Sequence, residues 1–128
     1  GDMVVFFNRD LSDEFAFRCK HAGQLASKMR FLAAPWVGML RDGAWLRHAN
    51  HANAMADYLQ DELAQKGIGT VNPVEANAVF ADFSDDQAKT LWKKGWKFYN
   101  FLADGGYRLM CSWDTEKSDI DALINDLP

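Results

Sequence analysis

Arg108 is the residue of this chain whose type and position most clearly suggest chemistry. It follows two glycines, Gly105 and Gly106, and lies in an apolar run that predicts a β-strand over 107–113. A guanidinium in such a run is costly to bury unless a carboxylate or a phosphate binds it. Arginine can bind a carboxylate through two hydrogen bonds at once. Arg108 therefore either binds an anionic ligand, or lies on the solvent face of its strand or pairs with a structural aspartate.

Four further cations lie in a predicted helical region that is rich in apolar residues. They are Arg18, Lys20, Lys28 and Arg30. Long basic side chains commonly extend along a helix surface with the charged end in water. The alternative interpretation is that some of them reach a phosphate group.

Histidine and cysteine give weak signals. His48 and His51 are three residues apart on one predicted helix, but the next positions on that face, Met55 and Leu59, supply no third ligand. No metal site is therefore predicted. Cys19 and Cys111 both occur in apolar patterns, and we predict that they are free thiols and not nucleophiles or a disulfide. No catalytic residue is predicted from local motifs.

Composition limits the classes of function. The chain has 128 residues, of which 48% are hydrophobic and 25% are charged, and its net charge is −4. An acidic chain of this kind lacks the basic face that a nucleic-acid partner requires. No window holds 18 consecutive apolar residues, so no membrane span is predicted. The first residues show neither the basic region nor the cleavage site of a signal peptide, and we expect a cytoplasmic protein.

The predicted elements divide the chain into residues 1–43 and 44–128. In the first part the apolar run 3–8 predicts a buried strand, and helices are predicted over 12–23, with Ser12 as N-cap, and over 24–40. Pro35 should kink the second helix or mark a first turn. Apolar residues cover more than one face of these helices, which suggests burial on several sides.

Residues 44–128 have the pattern of a self-contained α+β layer. The clearest helix spans about 42–66 and ends at Gly67, with an apolar stripe formed by Trp45, Ala49, Ala52, Ala56, Leu59 and Leu63. Strands are predicted at 70–71, 78–83, 98–102 and 107–113, and helices at 85–94, with Ser84 as N-cap, and from Thr115 onward. This order predicts a small, mostly antiparallel sheet covered by helices.

Four segments together carry a resemblance to a known family. They are MVVFFNRD at 3–10, KHAGQLASKMRFLAAP at 20–35, NHANAMA at 50–56 and GYRLMCSWDT at 106–115. In order and spacing they resemble the C-terminal half of low-specificity L-threonine aldolases, which use pyridoxal 5'-phosphate and have the aspartate-aminotransferase fold (fold type I). The resemblance covers residues 2–127. It implies an α/β enzyme in which 44–128 form the small C-terminal α+β domain and 1–43 supply one strand and interface helices of the large cofactor-binding domain.

The resemblance also implies an activity and a set of site residues. Such enzymes cleave L-threonine and related β-hydroxy amino acids into glycine and an aldehyde. By resemblance, Arg108 binds the substrate carboxylate and Lys20 binds the cofactor phosphate, often across a subunit boundary. Lys28 or Arg30 supplies a second phosphate contact, and the match fits either residue. The implied partners are an amino-acid substrate and further copies of the chain in a homo-oligomer, with no nucleic acid and no membrane.

The family's Schiff-base lysine has no counterpart in this chain, because it precedes the matching segment. We therefore expect the 128 residues alone to be an inactive fragment that binds no pyridoxal phosphate covalently. Two alternatives stay open. One is a standalone module that binds a small acid or dimerises, and the other is the C-terminal half of another pyridoxal-phosphate-dependent lyase or transaminase.

Self-association of the isolated chain is expected from the first 43 residues. Six apolar side chains there would normally contact another domain or a neighbouring subunit, namely Phe15, Phe17, Leu32, Trp36, Val37 and Leu40.

Overall fold

The structure is a computed structural model of the chain and describes residues 3–101 and 105–128. The helices are α1 (Phe15–His21), α2 (Met29–Leu40), α3 (Ala44–Gln65), α4 (Asp85–Lys93) and α5 (Lys117–Asp126), and the strands are β1 (Ala78–Ala81), β2 (Tyr99–Asn100) and β3 (Tyr107–Met110). The chain forms two compact units, Gly1–Ala44 and Trp45–Pro128. No helix in the described part of the chain has the length and apolar content needed to cross a bilayer.

The first unit contains no strand among its described residues. The prediction of a buried strand over 3–8 is wrong, because residues 3–8 are irregular and Val4, Val5 and Phe7 are exposed. A strand that is apolar on both faces needs neighbours that cover it. The described part of this unit offers α1, α2 and two short 3₁₀ helices, Arg9–Ser12 and Arg41–Gly43, and no strand that could pair with residues 3–8.

The start of α1 also differs from the prediction. The Asn8 side chain accepts a hydrogen bond from the backbone N–H of Asp10 at 3.0 Å and begins the 3₁₀ helix Arg9–Ser12. Ser12 Oγ donates to the Arg9 carbonyl at 2.6 Å. Ser12 therefore closes this short turn and does not cap α1, which starts at Phe15 without a side-chain cap.

Left-handed backbone conformations separate α1 from α2. Gly23 has a φ of 72° and Lys28 has a φ of 58°. A residue in this region interrupts a right-handed helix, so α2 starts at Met29 and not at the predicted residue 24. Pro35 lies inside α2.

The long helix α3 confirms the predicted apolar face only in its C-terminal part. Its buried residues are Ala52, Met55, Ala56, Leu59 and Leu63, whereas Trp45 and Ala49 are exposed. The helix ends as predicted at Gly67, whose φ is 74°. The N–H of Ile68 donates to the Leu63 carbonyl at 3.0 Å, the bond of a glycine-terminated helix end.

The ends of α4 are fixed by its own sequence. Ser84 Oγ accepts from the Gln87 N–H at 3.3 Å and Gln87 Oε1 accepts from the Ser84 N–H at 2.9 Å. This reciprocal pair is a capping box, and it confirms the predicted N-cap. At the other end Gly95 has a φ of 101°, and the N–H of Trp96 donates to the Leu91 carbonyl at 3.1 Å.

The sheet of the second unit is antiparallel, as predicted, with strand order β1-β3-β2. Residue 70 forms an isolated bridge to Ala81 and not a strand. The predicted strand 98–102 is reduced to Tyr99–Asn100 in the described residues, and its residue 102 lies outside them.

One face of the sheet packs against α3, α4 and α5 and forms a core. Its largest fully buried side chains are Leu63 of α3, Leu91 of α4 and Val79 of β1. Ile120, Leu123 and Ile124 of α5 complete the same cluster. The α+β architecture predicted for residues 44–128 is confirmed.

Removal of a buried side chain from α3 should unfold this unit at lower denaturant concentration. Leu63 is 0% exposed and Leu46 on the same helix is 47% exposed. Because Leu63→Ala loses apolar burial and leaves a cavity, it should lower the free energy of unfolding by about 2–5 kcal/mol. The matched change Leu46→Ala should cost roughly 0.5 kcal/mol or less. Urea unfolding followed by tryptophan fluorescence measures both, and equal losses would contradict the assigned core.

The C-terminus of α5 is tied to the end of α4 by a carboxylate. Asp126 accepts a hydrogen bond from Trp96 Nε1 at 2.9 Å and from Lys94 Nζ at 3.0 Å. Lys94 Nζ also donates to the Asp126 backbone carbonyl at 2.9 Å. The Trp96 indole first, and the Lys94 ammonium second, hold the pKa of the Asp126 carboxyl below its usual range.

This contact should make stability depend on acid pH. Since the folded state lowers the pKa of Asp126, its contribution is fully present above pH of about 4 and is lost as the pH falls further. Asp126→Asn should therefore destabilise the chain at pH 6 by more than it does at pH 3. Urea unfolding over that pH range tests this, with the exposed carboxylate of Asp57 on α3 replaced by asparagine as control. A stability difference that stays constant with pH would contradict the assignment.

Candidate functional site

The sheet presents its second face away from the core. Side chains alternate along a strand, so Tyr107 and Leu109 of β3 are buried while Arg108 and Met110 lie on the opposite face. Arg108 is directly opposite Phe80 of β1 and Tyr99 of β2. The predicted strand thus places Arg108 in the middle of a three-stranded sheet, on the face that the helices do not cover.

Aromatic and sulfur groups surround the Arg108 guanidinium. Its Nε donates to Met110 Sδ at 3.0 Å and its Nη1 donates to the Tyr99 phenolic oxygen at 3.3 Å. Its Cζ lies 5.1 Å from the centre of the Phe101 ring, a cation–π contact. These neighbours hold the group without neutralising its charge.

Arg108 has no carboxylate partner within residues 3–101 and 105–128. The ion pair found in that part of the chain joins Lys94 to Asp126. Of the two structural roles that the sequence left open for Arg108, the structure supports one and not the other. Arg108 does lie on the uncovered face of its strand, but no described aspartate pairs with it. A guanidinium without a counter-ion among the described residues is suited to bind an anion.

A cleft of about 740 Å³ lies beside β3 and is lined in part by Arg108. Its walls are largely apolar and include Trp92, Trp96, Phe98 and Ile120. Thr115 and Asp119 add polar groups from the start of α5. An apolar cleft with a few polar groups is the usual form of a small-molecule site.

The short length of β2 leaves room for this cleft. β2 pairs only with Arg108 and Tyr107 of β3, whereas β1 pairs with β3 as far as Met110. Beyond Arg108, the β2 side of β3 therefore faces the cleft. The two glycines before β3, with φ values of 110° at Gly105 and 112° at Gly106, have backbone conformations that residues with a side chain rarely adopt.

The three cations predicted to bind phosphate all lie in the first unit. Lys20 is on α1, Lys28 directly precedes α2 and Arg30 is on α2, and all three are exposed. A second cleft, of about 1000 Å³, is lined by Arg30 together with apolar residues of this unit. Lys20 and Lys28 are not among its lining residues. The structure thus brings Arg30 alone of the three to this cleft.

The histidines and cysteines have structural surroundings. His48 packs edge-on against Trp113 with 5.4 Å between ring centres, and His51 Nε2 lies 2.8 Å from the Thr115 carbonyl. Cys19 and Cys111 are free thiols, and burial raises the pKa of Cys111. Within the described residues, no group of three or more histidine, cysteine, aspartate or glutamate side chains could hold a metal ion.

The residues that surround Arg108 were not identified from the sequence. The sequence predicted only that three of them, Tyr99, Phe101 and Met110, lie in strands. Met110 could have been identified from the alternation of side chains along a strand, because it is two positions from Arg108 and therefore lies on the same face. Tyr99 and Phe101 required the register between β2 and β3, which no local pattern gives.

Two curated relatives match almost the whole chain. A low specificity L-threonine aldolase from Pseudomonas sp. (strain NCIMB 10558) is 54% identical over 128 residues, which cover 99% of this chain and 37% of that protein. A protein of the same name from Pseudomonas aeruginosa is 52% identical with the same coverage. The chain therefore spans little more than a third of the length of these relatives. No protein-family model matches the sequence.

A solved structure shares the fold. A threonine aldolase from Leishmania major superimposes with a TM-score of 0.80 at 24% sequence identity, over 94% of this chain and 36% of that chain. At this level of identity the likeness shows the fold alone. The two sequence relatives confirm the resemblance that the four segments indicated: over 99% of its length, this chain is similar to low specificity L-threonine aldolases, of which it matches 37%.

Proposed function

We propose that this chain is part of a pyridoxal-phosphate-dependent aldolase that cleaves L-threonine and related β-hydroxy amino acids into glycine and an aldehyde, and that Arg108 binds the substrate carboxylate. The observation that carries the proposal is Arg108, a partly buried residue that lines a cleft and whose guanidinium has no carboxylate partner among the described residues. Its occurrence in a chain 54% identical to a low specificity L-threonine aldolase supports the assignment.

Arg108 contributes binding and orientation. The guanidinium offers paired N–H donors that match the two oxygens of a carboxylate. The walls of the cleft are largely apolar, Trp92 and Phe98 among them, and a charge contact is stronger beside apolar groups than in bulk water. A carboxylate held in this way fixes the rest of the amino acid, and orientation of this kind lowers the barrier of the bond-breaking step.

Three cations of the first unit fit the phosphate of the cofactor. Lys20, Lys28 and Arg30 are exposed within an 11-residue stretch, and none forms an ion pair with a carboxylate in the described residues. Ammonium and guanidinium groups are suitable ligands for a phosphate dianion. Pyridoxal phosphate, when bound, withdraws electrons from the bond that breaks. We assign phosphate binding to Lys20 and to Lys28 or Arg30, and Arg30 is favoured of the latter two because it lines the cleft of the first unit.

We further propose that the first unit supplies an interface to a second copy of the chain. None of its described helices contains a buried residue. The exposed apolar side chains of α1 and α2 include Phe17, Leu32 and Val37. Large apolar side chains left exposed on neighbouring helices in sequence are typical of interfaces between subunits.

Replacement of Arg108 in the longer protein proposed to contain this chain should impair catalysis. Arg108→Ala should lower kcat/KM for L-threonine by about two to three orders of magnitude, since it removes two charge-assisted hydrogen bonds. Arg108→Lys keeps the charge but loses the paired N–H donors of the guanidinium, so it should restore only part of the lost kcat/KM. Steady-state assay of glycine or acetaldehyde formation measures both.

The matched control is Lys89→Ala, which removes an exposed cation from α4 and should leave kcat/KM unchanged. If the unmodified longer protein fails to cleave L-threonine, or if Arg108→Ala changes kcat/KM by no more than the control, the proposed function is wrong.

Charge introduced into α2 should separate the copies of the chain. We expect the 128-residue chain to sediment as an oligomer, and Leu32→Glu with Val37→Glu to shift it towards the monomer, because carboxylates cannot be buried unpaired. The control Ala64→Glu places one carboxylate on the exposed side of α3 and should not alter the distribution. Sedimentation velocity distinguishes these cases, and a monomeric unmodified chain would contradict the proposed interface.

A further inference from the structure

We propose that Tyr99 is a positioning residue for Arg108: its phenolic oxygen fixes the plane of the guanidinium in which a carboxylate is bound. The inference rests on the proposed function in so far as the carboxylate belongs to an amino-acid substrate. It adds a residue that neither the local sequence pattern nor the resemblance indicated.

The sheet register places the two side chains next to each other. Tyr99 is the direct cross-strand partner of Arg108 in the antiparallel pair of β2 and β3. Directly opposed residues of such a pair have side chains on the same face and close enough to interact. As a result, Arg108 Nη1 donates a hydrogen bond of 3.3 Å to the Tyr99 phenolic oxygen.

The hydrogen-bond inventory of Arg108 shows what this contact leaves for a ligand. A guanidinium has five N–H donors and accepts none. Nε is used by Met110 Sδ and Nη1 by Tyr99. Among the described residues no acceptor is found for Nη2, so the Tyr99 bond leaves the outer end of the guanidinium for a carboxylate. With Nη1 and Nε both held, the plane of the group cannot turn freely.

Tyr99 is itself held by aromatic contacts, although it is 56% exposed. Its ring lies 6.0 Å from that of Phe101, and Phe101 lies 5.8 Å from Phe80. Phe101 also contacts the guanidinium from its face. The three aromatic rings therefore form a support that keeps the phenol in reach of Arg108, and aromatic pairs at these distances are favourable.

Tyr99→Phe in the longer protein should raise KM for L-threonine roughly three- to tenfold with little change in kcat. The change keeps the ring and its contacts with Phe101 and removes only the hydroxyl group. The matched control is Tyr58→Phe, which removes a phenol that donates to Asp121 at 2.8 Å, between α3 and α5, and should leave KM unchanged. A reduced kcat with unchanged KM, or an equal effect of both variants, would overturn the proposal.

A double-mutant cycle separates positioning from a general structural effect. In the Arg108→Ala background the further change Tyr99→Phe should alter KM less than twofold by rough expectation, because the group that it positions is gone. An undiminished effect of Tyr99→Phe in that background would show that Tyr99 acts independently of Arg108.

A spectroscopic measurement on the 128-residue chain keeps this test independent of the aldolase assignment. With ¹⁵N-arginine, the Nη signals of Arg108, identified by their loss in Arg108→Ala, should be resolved in the unmodified chain. They should merge in Tyr99→Phe, as rotation of the group is released, but not in Tyr58→Phe. Unaltered Nη signals in Tyr99→Phe would overturn the positioning role. Failure of the unmodified longer protein to cleave threonine would instead count against the proposed function alone.

Discussion

The central position of β3 in the sheet is the constraint on which the rest of the second unit depends. β3 hydrogen-bonds to β1 on one edge and to β2 on the other, so its side chains are forced alternately into the core and away from it. Tyr107, Leu109 and Cys111 complete the core with α3, α4 and α5. The same alternation leaves Arg108 on the uncovered face, and a shift of one residue in register would exchange the two sets. The register of β3 therefore determines both the position of the candidate site and the packing of the core.

Two charged contacts in this unit illustrate different uses of a charged group. Asp126 is satisfied within the chain by Trp96 and Lys94, and this contact joins the ends of two helices. Arg108 receives only a phenol, a thioether and an aromatic ring from the described residues. Those neighbours orient the guanidinium and leave its charge uncompensated. The first arrangement contributes to the fold, whereas the second is suited to bind an anion.

The two units differ in how completely they bury their apolar residues. The second unit has fully buried residues on α3, α4 and β1. The described helices of the first unit bury none, although they carry large apolar side chains such as Phe17, Phe31 and Leu32. Uncovered apolar surface of this kind is the basis of the interface proposed for the first unit.

Local sequence determined the elements whose ends and faces are encoded by neighbouring residues. The capping box of Ser84 and Gln87, the helix end at Gly67 and the buried side of α3 from Ala52 onward all follow from patterns within a few residues. The sequence also predicted the strand that contains Arg108 and indicated Arg108 as a candidate for anion binding. Local sequence was misleading at residues 3–8, because an apolar run does not reveal whether a partner strand exists.

Only the tertiary structure decided which residues meet. The pairing of Tyr99 with Arg108, the ring of Phe101 beneath the guanidinium and the cleft beyond the end of β2 depend on register and on contacts between residues distant in sequence. Hydrophobic periodicity specifies which face of a strand is buried, but it does not specify which neighbour a strand chooses or where that neighbour ends. For that physical reason the sequence identified the guanidinium, whereas the groups that orient it became visible only in the folded chain.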